Sequence, residues 1–234
     1  MSNFLNLSPH RSKGLHAPIF KNALQLKKDA ITLAESNASY STANSLLILS
    51  SEEVIKAILV LLHSEGYHVY RIDGAKKFFT NHKIRHELAK LIEVIKAILE
   101  SLNALVSEIH ATNATGKNQF WMNLFNGIHK VLSVVGPIAI SAQRINELEQ
   151  FDDYKNRGFY VDFDQEISIP ENQFNLSSFQ KNSEIVARIF KTYRILQLLH
   201  SPQFLKRTGN QEIKESMRSK INEELKNFSI KEIL

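Results

Sequence analysis

Between Leu46 and Leu62 the chain reads Leu-Leu-Ile-Leu-Ser-Ser-Glu-Glu-Val-Ile-Lys-Ala-Ile-Leu-Val-Leu-Leu. Only Ser50, Ser51, Glu52, Glu53 and Lys56 interrupt it. A helix that is apolar all round is a buried helix, so the rest of the chain has to wrap it. Ionised carboxylates in such a helix are costly unless they are paired and hydrogen-bonded. At ~100° per residue Glu52 and Lys56 lie ~40° apart, with Glu53 ~60° beyond Lys56. They form one charged seam that another polar element must meet.

The chain has 234 residues, 43% of them hydrophobic and 23% charged, enough for one real core plus an appendage. With no cysteine, a disulfide framework, a thiol nucleophile and a cysteine-based metal site are all excluded. Met1 to Lys13 is polar and lacks the apolar stretch of a signal peptide. Leu46 to Leu62 is too short, and too charged at its centre, to span a bilayer. The expectation is a soluble cytoplasmic protein without a membrane partner. A formal charge of +5 permits nucleic-acid binding without requiring it. The basic surplus is local: Lys76, Lys77, His82, Lys83, Arg85, His86 and Lys90 are opposed only by Glu87. A solvated basic helix face is the plain alternative.

The periodicity predicts helices nearly throughout. Apolar residues at 19, 20, 23, 24, 26, 30, 31, 33 and 34 give an amphipathic helix over Ile19–Ser36. After a break at Asn37-Ala38-Ser39 the second helix runs over Tyr40–Ser64, antiparallel to the first. Gly66–Gly74 is a loop, and a long helix follows from Thr80 or Asn81 to about Ala111. Gln119–Val134 is a further helix, broken by Gly136-Pro137, and another ends near Tyr154. Asn156–Asn175 is irregular, with a short β segment at Phe159–Phe163. Ser177 or Ser178 caps a helix to His200, and a terminal amphipathic helix covers Gln211–Phe228. The fold predicted is an all-α bundle with an irregular loop before the penultimate helix and a C-terminal helical extension. Its parts are a flexible leader (1–18), a helical domain (19–205) and the extension (206–234).

No Gly-rich phosphate loop, zincin helix or Gly-x-Ser-x-Gly elbow is present. His82 and His86 share a helix face, but cations surround them and no third ligand is evident, so neither metal nor cofactor is expected. Two segments could complete the charged seam: His82–His86 and Lys155–Asp162.

Four stretches together resemble the abortive-infection V (AbiV) family of the HEPN superfamily. They are Ala23-x2-Leu26-x2-Asp29-Ala30, Glu52-Glu53-x2-Lys56-Ala57, His82-Lys83-x-Arg85, and Lys155-Asn156-Arg157-Gly158-Phe159-Tyr160-Val161-Asp162. The second and fourth are the more specific. With the helices around them they span about Ile19 to His200. The resemblance implies a HEPN-like bundle and a role in bacterial anti-phage defence, with RNA, a phage protein and a second copy of the chain as partners. Many HEPN relatives are metal-independent endoribonucleases that build one composite site in a homodimer. In that reading His82, Arg85, Glu52, Glu53 and Arg157 are the catalytic candidates. Lys56, Lys83, His86, Tyr160 and Asp162 bind RNA or support the site. A His serves as general acid or base near neutral pH, and Arg and Lys stabilise the crowded charge of the transition state.

Pairing of Arg157 with Glu52 or Glu53 would satisfy both charges. Asp29 could receive Lys56 or Arg85, or sit at the surface. The HEPN nuclease pattern, Arg then four to six residues then His, occurs as Arg194-x5-His200 and Arg11-x4-His16. Arg11 falls in the leader, and Arg194 and His200 lie ~120° apart on a helix, so neither pair makes a convincing motif. Two readings therefore stand: a dimeric HEPN ribonuclease, or a catalytically inert helical module that engages a phage protein or the translation machinery.

Overall fold

The computed structural model describes residues 4–72, 75–79, 92, 95, 151–164, 166–202 and 211–227. The elements are α1 (Pro9–Ser12), α2 (His16–Asn37), α3 (Tyr40–Ser64), α4 (Phe151–Arg157), β1 (Asp162–Asp164), β2 (Glu166–Ser168), α5 (Leu176–Leu199) and α6 (Gln211–Asn227). Among the described residues the architecture is all-α apart from one antiparallel hairpin, β1–β2. The expected helices over 80–111 and 119–134, the Gly136-Pro137 break and the basic cluster from His82 to Lys90 lie outside the described residues, except that Ile92 and Ile95 are buried in the core.

The apolar run becomes the central helix α3, with the bounds its sequence predicts. Leu47, Ile48, Val54, Ile55, Ile58, Leu59 and Leu62 are all buried, and they point to more than one side of the helix. α2, α4 and α5 pack around it. Small side chains face it from α2, where Ala23, Ala30 and Ala34 are buried, so that the two axes approach closely. The α2–α3 connection is short because Ala38 turns left-handed, at φ 51°, and the Ser39 N–H donates to the Leu33 carbonyl at 3.3 Å. That closes a helix end in the manner usually given to glycine.

The first turns also lie on this scaffold. Phe4 stacks obliquely on Phe79, and His63 on α3 donates from Nε2 to the Leu7 carbonyl at 2.8 Å. At the other terminus Ile221 and Leu225 of α6 are buried, and Arg218 Nη2 donates to the Glu65 carbonyl at 2.8 Å. The His68 N–H donates to Asn222 Oδ1 at 2.9 Å, so α6 is fastened to the loop after α3.

Two local expectations need correcting. The cap of α5 is Asn175, whose side chain accepts from the Ser178 N–H at 3.0 Å, while the Asn175 N–H donates to Ser178 Oγ at 2.9 Å. Ser178 is thus the third residue of a capping box rather than the cap itself. The β structure falls at 162–168 rather than 159–163. Phe159 and Tyr160 are tied by their N–H groups to the Asn156 carbonyl at the end of α4, so extension starts only beyond them.

Ala38 makes a stability prediction. A left-handed non-glycine residue costs about 1–2 kcal/mol, and a glycine adds back about 0.4–1 kcal/mol of unfolded-chain freedom. Ala38→Gly is therefore expected to raise the unfolding free energy by roughly 0.5–1 kcal/mol in urea titration. A loss of stability would show that the turn is held by something other than its backbone angle.

Candidate functional site

The polar groups of α3 are met from several directions. Ser50 and Ser51 turn back on their own helix and donate to the Leu47 and Ile48 carbonyls at 2.6 and 2.7 Å. Glu53 and Lys56, each about one-fifth exposed, pair with one another. Glu52 is only 2% exposed, and its Oε1 lies 3.5 Å from Lys155 Nζ of α4, itself buried. Of the two segments that could complete the seam, 155–162 supplies this cation. His82, Lys83, Arg85 and His86 lie outside the described residues.

The seam is also longer than the charged island. Ser41 and Ser45 lie on the line of Glu52, since eleven and seven residues each bring a helix round to within ~20°. Ser45 Oγ donates to the Lys155 carbonyl at 2.9 Å, and Ser41 Oγ donates to the Pro170 carbonyl. Beside that line, Asn182 of α5 donates to Asn44 Oδ1 at 2.7 Å, while Asn44 Nδ2 donates to the Tyr40 carbonyl. A polar ladder thus runs along α3 from Ser41 to Lys56, and α4, α5 and the segment after the hairpin all fasten to it.

Gly158 makes the closest approach. A Cβ there would sit 2.1 Å from Ser45 Oγ and 2.6 Å from the Ser41 carbonyl oxygen. No side chain fits against that backbone oxygen unless the end of α4 moves. The glycine and the two serines let the chain after α4 touch α3, and this brings Lys155 within reach of Glu52.

The remaining candidates lie further out. Arg157, Tyr160 and Asp162 are exposed, Tyr160 at 67%, and Asp162 Oδ1 accepts from the Phe163 N–H at 2.8 Å. Asp29 is at the surface, where Gln25 donates to it. Lys155 is the residue that sequence reasoning passed over. It opens the Lys155–Asp162 stretch, yet the pairing role went to Arg157, two positions on, which points outward instead.

Neither Arg–His spacing builds a site among the described residues. His200 is buried: Nδ1 faces the Leu196 carbonyl at 2.7 Å and therefore carries the proton, while Nε2 faces the Tyr67 hydroxyl at 3.0 Å. Arg194 is exposed, its guanidinium 6.0 Å above the Phe20 ring. His16 Nδ1 shares a 2.7 Å hydrogen bond with the Tyr193 hydroxyl. Burial lowers the His16 pKa, partly offset by the charge of Glu65, and burial pushes Tyr193 up to about 12. Arg11 is exposed on α1. Both histidines belong to the packing between helices.

The AbiV model of the HEPN class matches residues 11–191, more than half of the chain. No curated protein and no solved structure matches it.

Two substitutions test the site's construction. Lys155→Met takes a cation away from the buried Glu52 carboxylate and is expected to cost about 3–5 kcal/mol of unfolding free energy. Glu52→Leu combined with Lys155→Met should recover most of that, because an apolar pair of similar volume replaces a buried ion pair at little cost. Equal losses in the single and double variants would mean that the ion pair is not what holds α4. Gly158→Ala is expected to cost about 1–3 kcal/mol through overpacking. Because the Ser41 carbonyl is backbone, adding Ser45→Gly should restore only part of the loss.

Proposed function

This chain belongs to the AbiV family of the HEPN superfamily, and from that premise we propose that it defends a bacterium against phage by cutting RNA as a metal-independent endoribonuclease. One observation carries the reading. The buried Glu52–Lys155 pair fixes α4 so that Arg157, its last residue, stands in solvent at the edge of the polar ladder. A guanidinium held there can stabilise the charge that gathers on phosphorus in the transition state.

In this mechanism the RNA's own 2′-hydroxyl attacks the adjacent phosphate, and the 5′-oxygen of the next nucleotide leaves. His82 takes the proton of the 2′-hydroxyl and, as its imidazolium, gives it to the leaving 5′-oxygen, being the side chain type that titrates near neutral pH; a 2′,3′-cyclic phosphate is left. Arg85 adds positive charge, and Lys83, His86 and Lys56 hold the strand. Tyr160 and Asp162 support the Arg157 loop. Glu52, at 2% exposure, acts as a positioning residue through Lys155, and Glu53 does the same for Lys56. Cytoplasmic RNA is the substrate, two copies of the chain form the composite site, and a phage protein is the trigger.

The second reading, an inert helical module that engages a phage protein or the translation machinery, is favoured by one observation. The one Arg–His spacing on the last core helix is not assembled, since His200 faces inward to Tyr67. Incubation of labelled RNA with the purified chain in chelator, with and without phage extract, separates the two. The ribonuclease reading expects cleavage that falls at least ~100-fold in both Arg157→Ala and His82→Ala. Intact RNA with wild-type protein under both conditions would sink it, and full activity in both variants would move the site elsewhere.

A further inference from the structure

α2 and α5 both pack on α3, and they meet each other through aromatic rings. Phe20 stacks on Tyr193 with centroids 3.9 Å apart and lies 5.5 Å from Phe190. Each helix then lays a cation on a ring of the other. Lys27 Nζ of α2 is 4.9 Å from the centre of Phe190, and Arg194 Cζ of α5 is 6.0 Å from that of Phe20. Lys27 is half-buried and Arg194 is exposed, so both charges stand over the rings at the α2–α5 boundary.

A ring holds a cation in place without neutralising it, whereas a carboxylate would hold it and cancel its charge. Among the described residues neither Lys27 nor Arg194 has a carboxylate partner. Asp29 lies ~200° round α2 from Lys27 and accepts from Gln25 instead. The two cations also act on each other: the Lys27 pKa falls below its usual value through burial first and the charge of Arg194 second. Like charges held on neighbouring rings are a standing cost, which an anion bound between them removes.

The positive charge continues along α5. Lys191 is half-buried, one turn before Arg194 and ~60° further round the helix, and no acid follows Glu184 on α5. Two Lys and two Arg against one Glu give α5 a net +3, and three Lys against Asp29 and Glu35 give α2 a net +1. A row of separate cations matches the successive phosphates of a strand better than one compact ion, and the planar fork of Arg194 fits the paired oxygens of a phosphate.

We propose that Lys27 and Arg194, extended by Lys191, bind the phosphate backbone of an RNA strand along the α2–α5 boundary. The inference rests on the RNA reading above and adds a surface that grips the strand without reading its bases.

Fluorescence anisotropy of the full chain with a labelled 2′-O-methyl oligouridylate tests it. That strand lacks the attacking hydroxyl, so binding is measured apart from cleavage. Lys27→Met with Arg194→Met keeps apolar stems on the rings and removes both charges, and far-UV circular dichroism verifies folding. Wild type is expected to bind at about 0.1 M salt, and the double variant at least ~30-fold more weakly. The slope of log affinity against log salt should shrink by about 1.4, the share of two phosphate contacts on a single strand. Inorganic phosphate and poly-glutamate at matched charge should displace the strand far less than unlabelled RNA does. Wild type that does not bind, or a double variant with wild-type affinity and slope, overturns the proposal. Displacement by either competitor as effective as by RNA overturns the strand as the ligand. Binding as expected, with unmodified RNA left intact, upholds this surface and overturns the ribonuclease reading alone.

Discussion

Burying Glu52 in the central helix is the constraint on which the rest of the structure turns. A carboxylate withdrawn from water carries a desolvation penalty of several kcal/mol, and a cation repays it only in good geometry. Glu52 lies on a side of α3 that solvent does not reach, so the chain has to bring the cation to it. Lys155, more than a hundred positions away, does so, and its arrival fixes α4 against α3. The hydroxyls of Ser41 and Ser45 and the close fit at Gly158 lie along the same line, with the Asn44–Asn182 pair ~80° round the helix from it. The polar ladder therefore sets the angle and depth at which later elements dock, while the apolar faces supply the bulk of the stabilisation.

Fastening α4 has a second consequence. Because Gly158 and Pro170 are both held at α3, the chain between them can only project outward. It leaves as a short hairpin, so residues that would ordinarily seek a core stand in solvent. The same anchorage sets Arg157 and Tyr160 at the surface. Inside the ladder the charges hold the structure together; just beyond it Arg157 and Asp162 lie exposed.

Much of this was legible in residue order. The bounds of α3 follow from its uninterrupted apolar periodicity, and the Asn37–Ser39 break from the loss of that pattern. The seam's need for a partner follows from the cost of buried charge, and Lys155–Asp162 was one of two segments able to supply it. Choosing Arg157 over Lys155 was a misreading of direction: two residues on a helix differ by ~200°, and nothing local says which one faces inward. Ser41 and Ser45 carry no signal of their own in the sequence, because their value lies in being small where Gly158 touches. Asn175 was overlooked as a cap beside two serines, although its side chain is an equally good acceptor for a helix N-terminus.

The sequence alone determined that the chain is a helical bundle around one largely buried helix, and that this helix holds charges needing partners. Both follow from local periodicity and from the cost of desolvation, which depend only on which residues are neighbours along the chain. Which cation answers Glu52, whether His200 faces a ribose or a tyrosine, and which apolar residues stay outside were decided by tertiary structure alone. Those outcomes depend on how two helices distant in sequence turn about their axes when they meet, and a glycine against a serine hydroxyl sets that rotation.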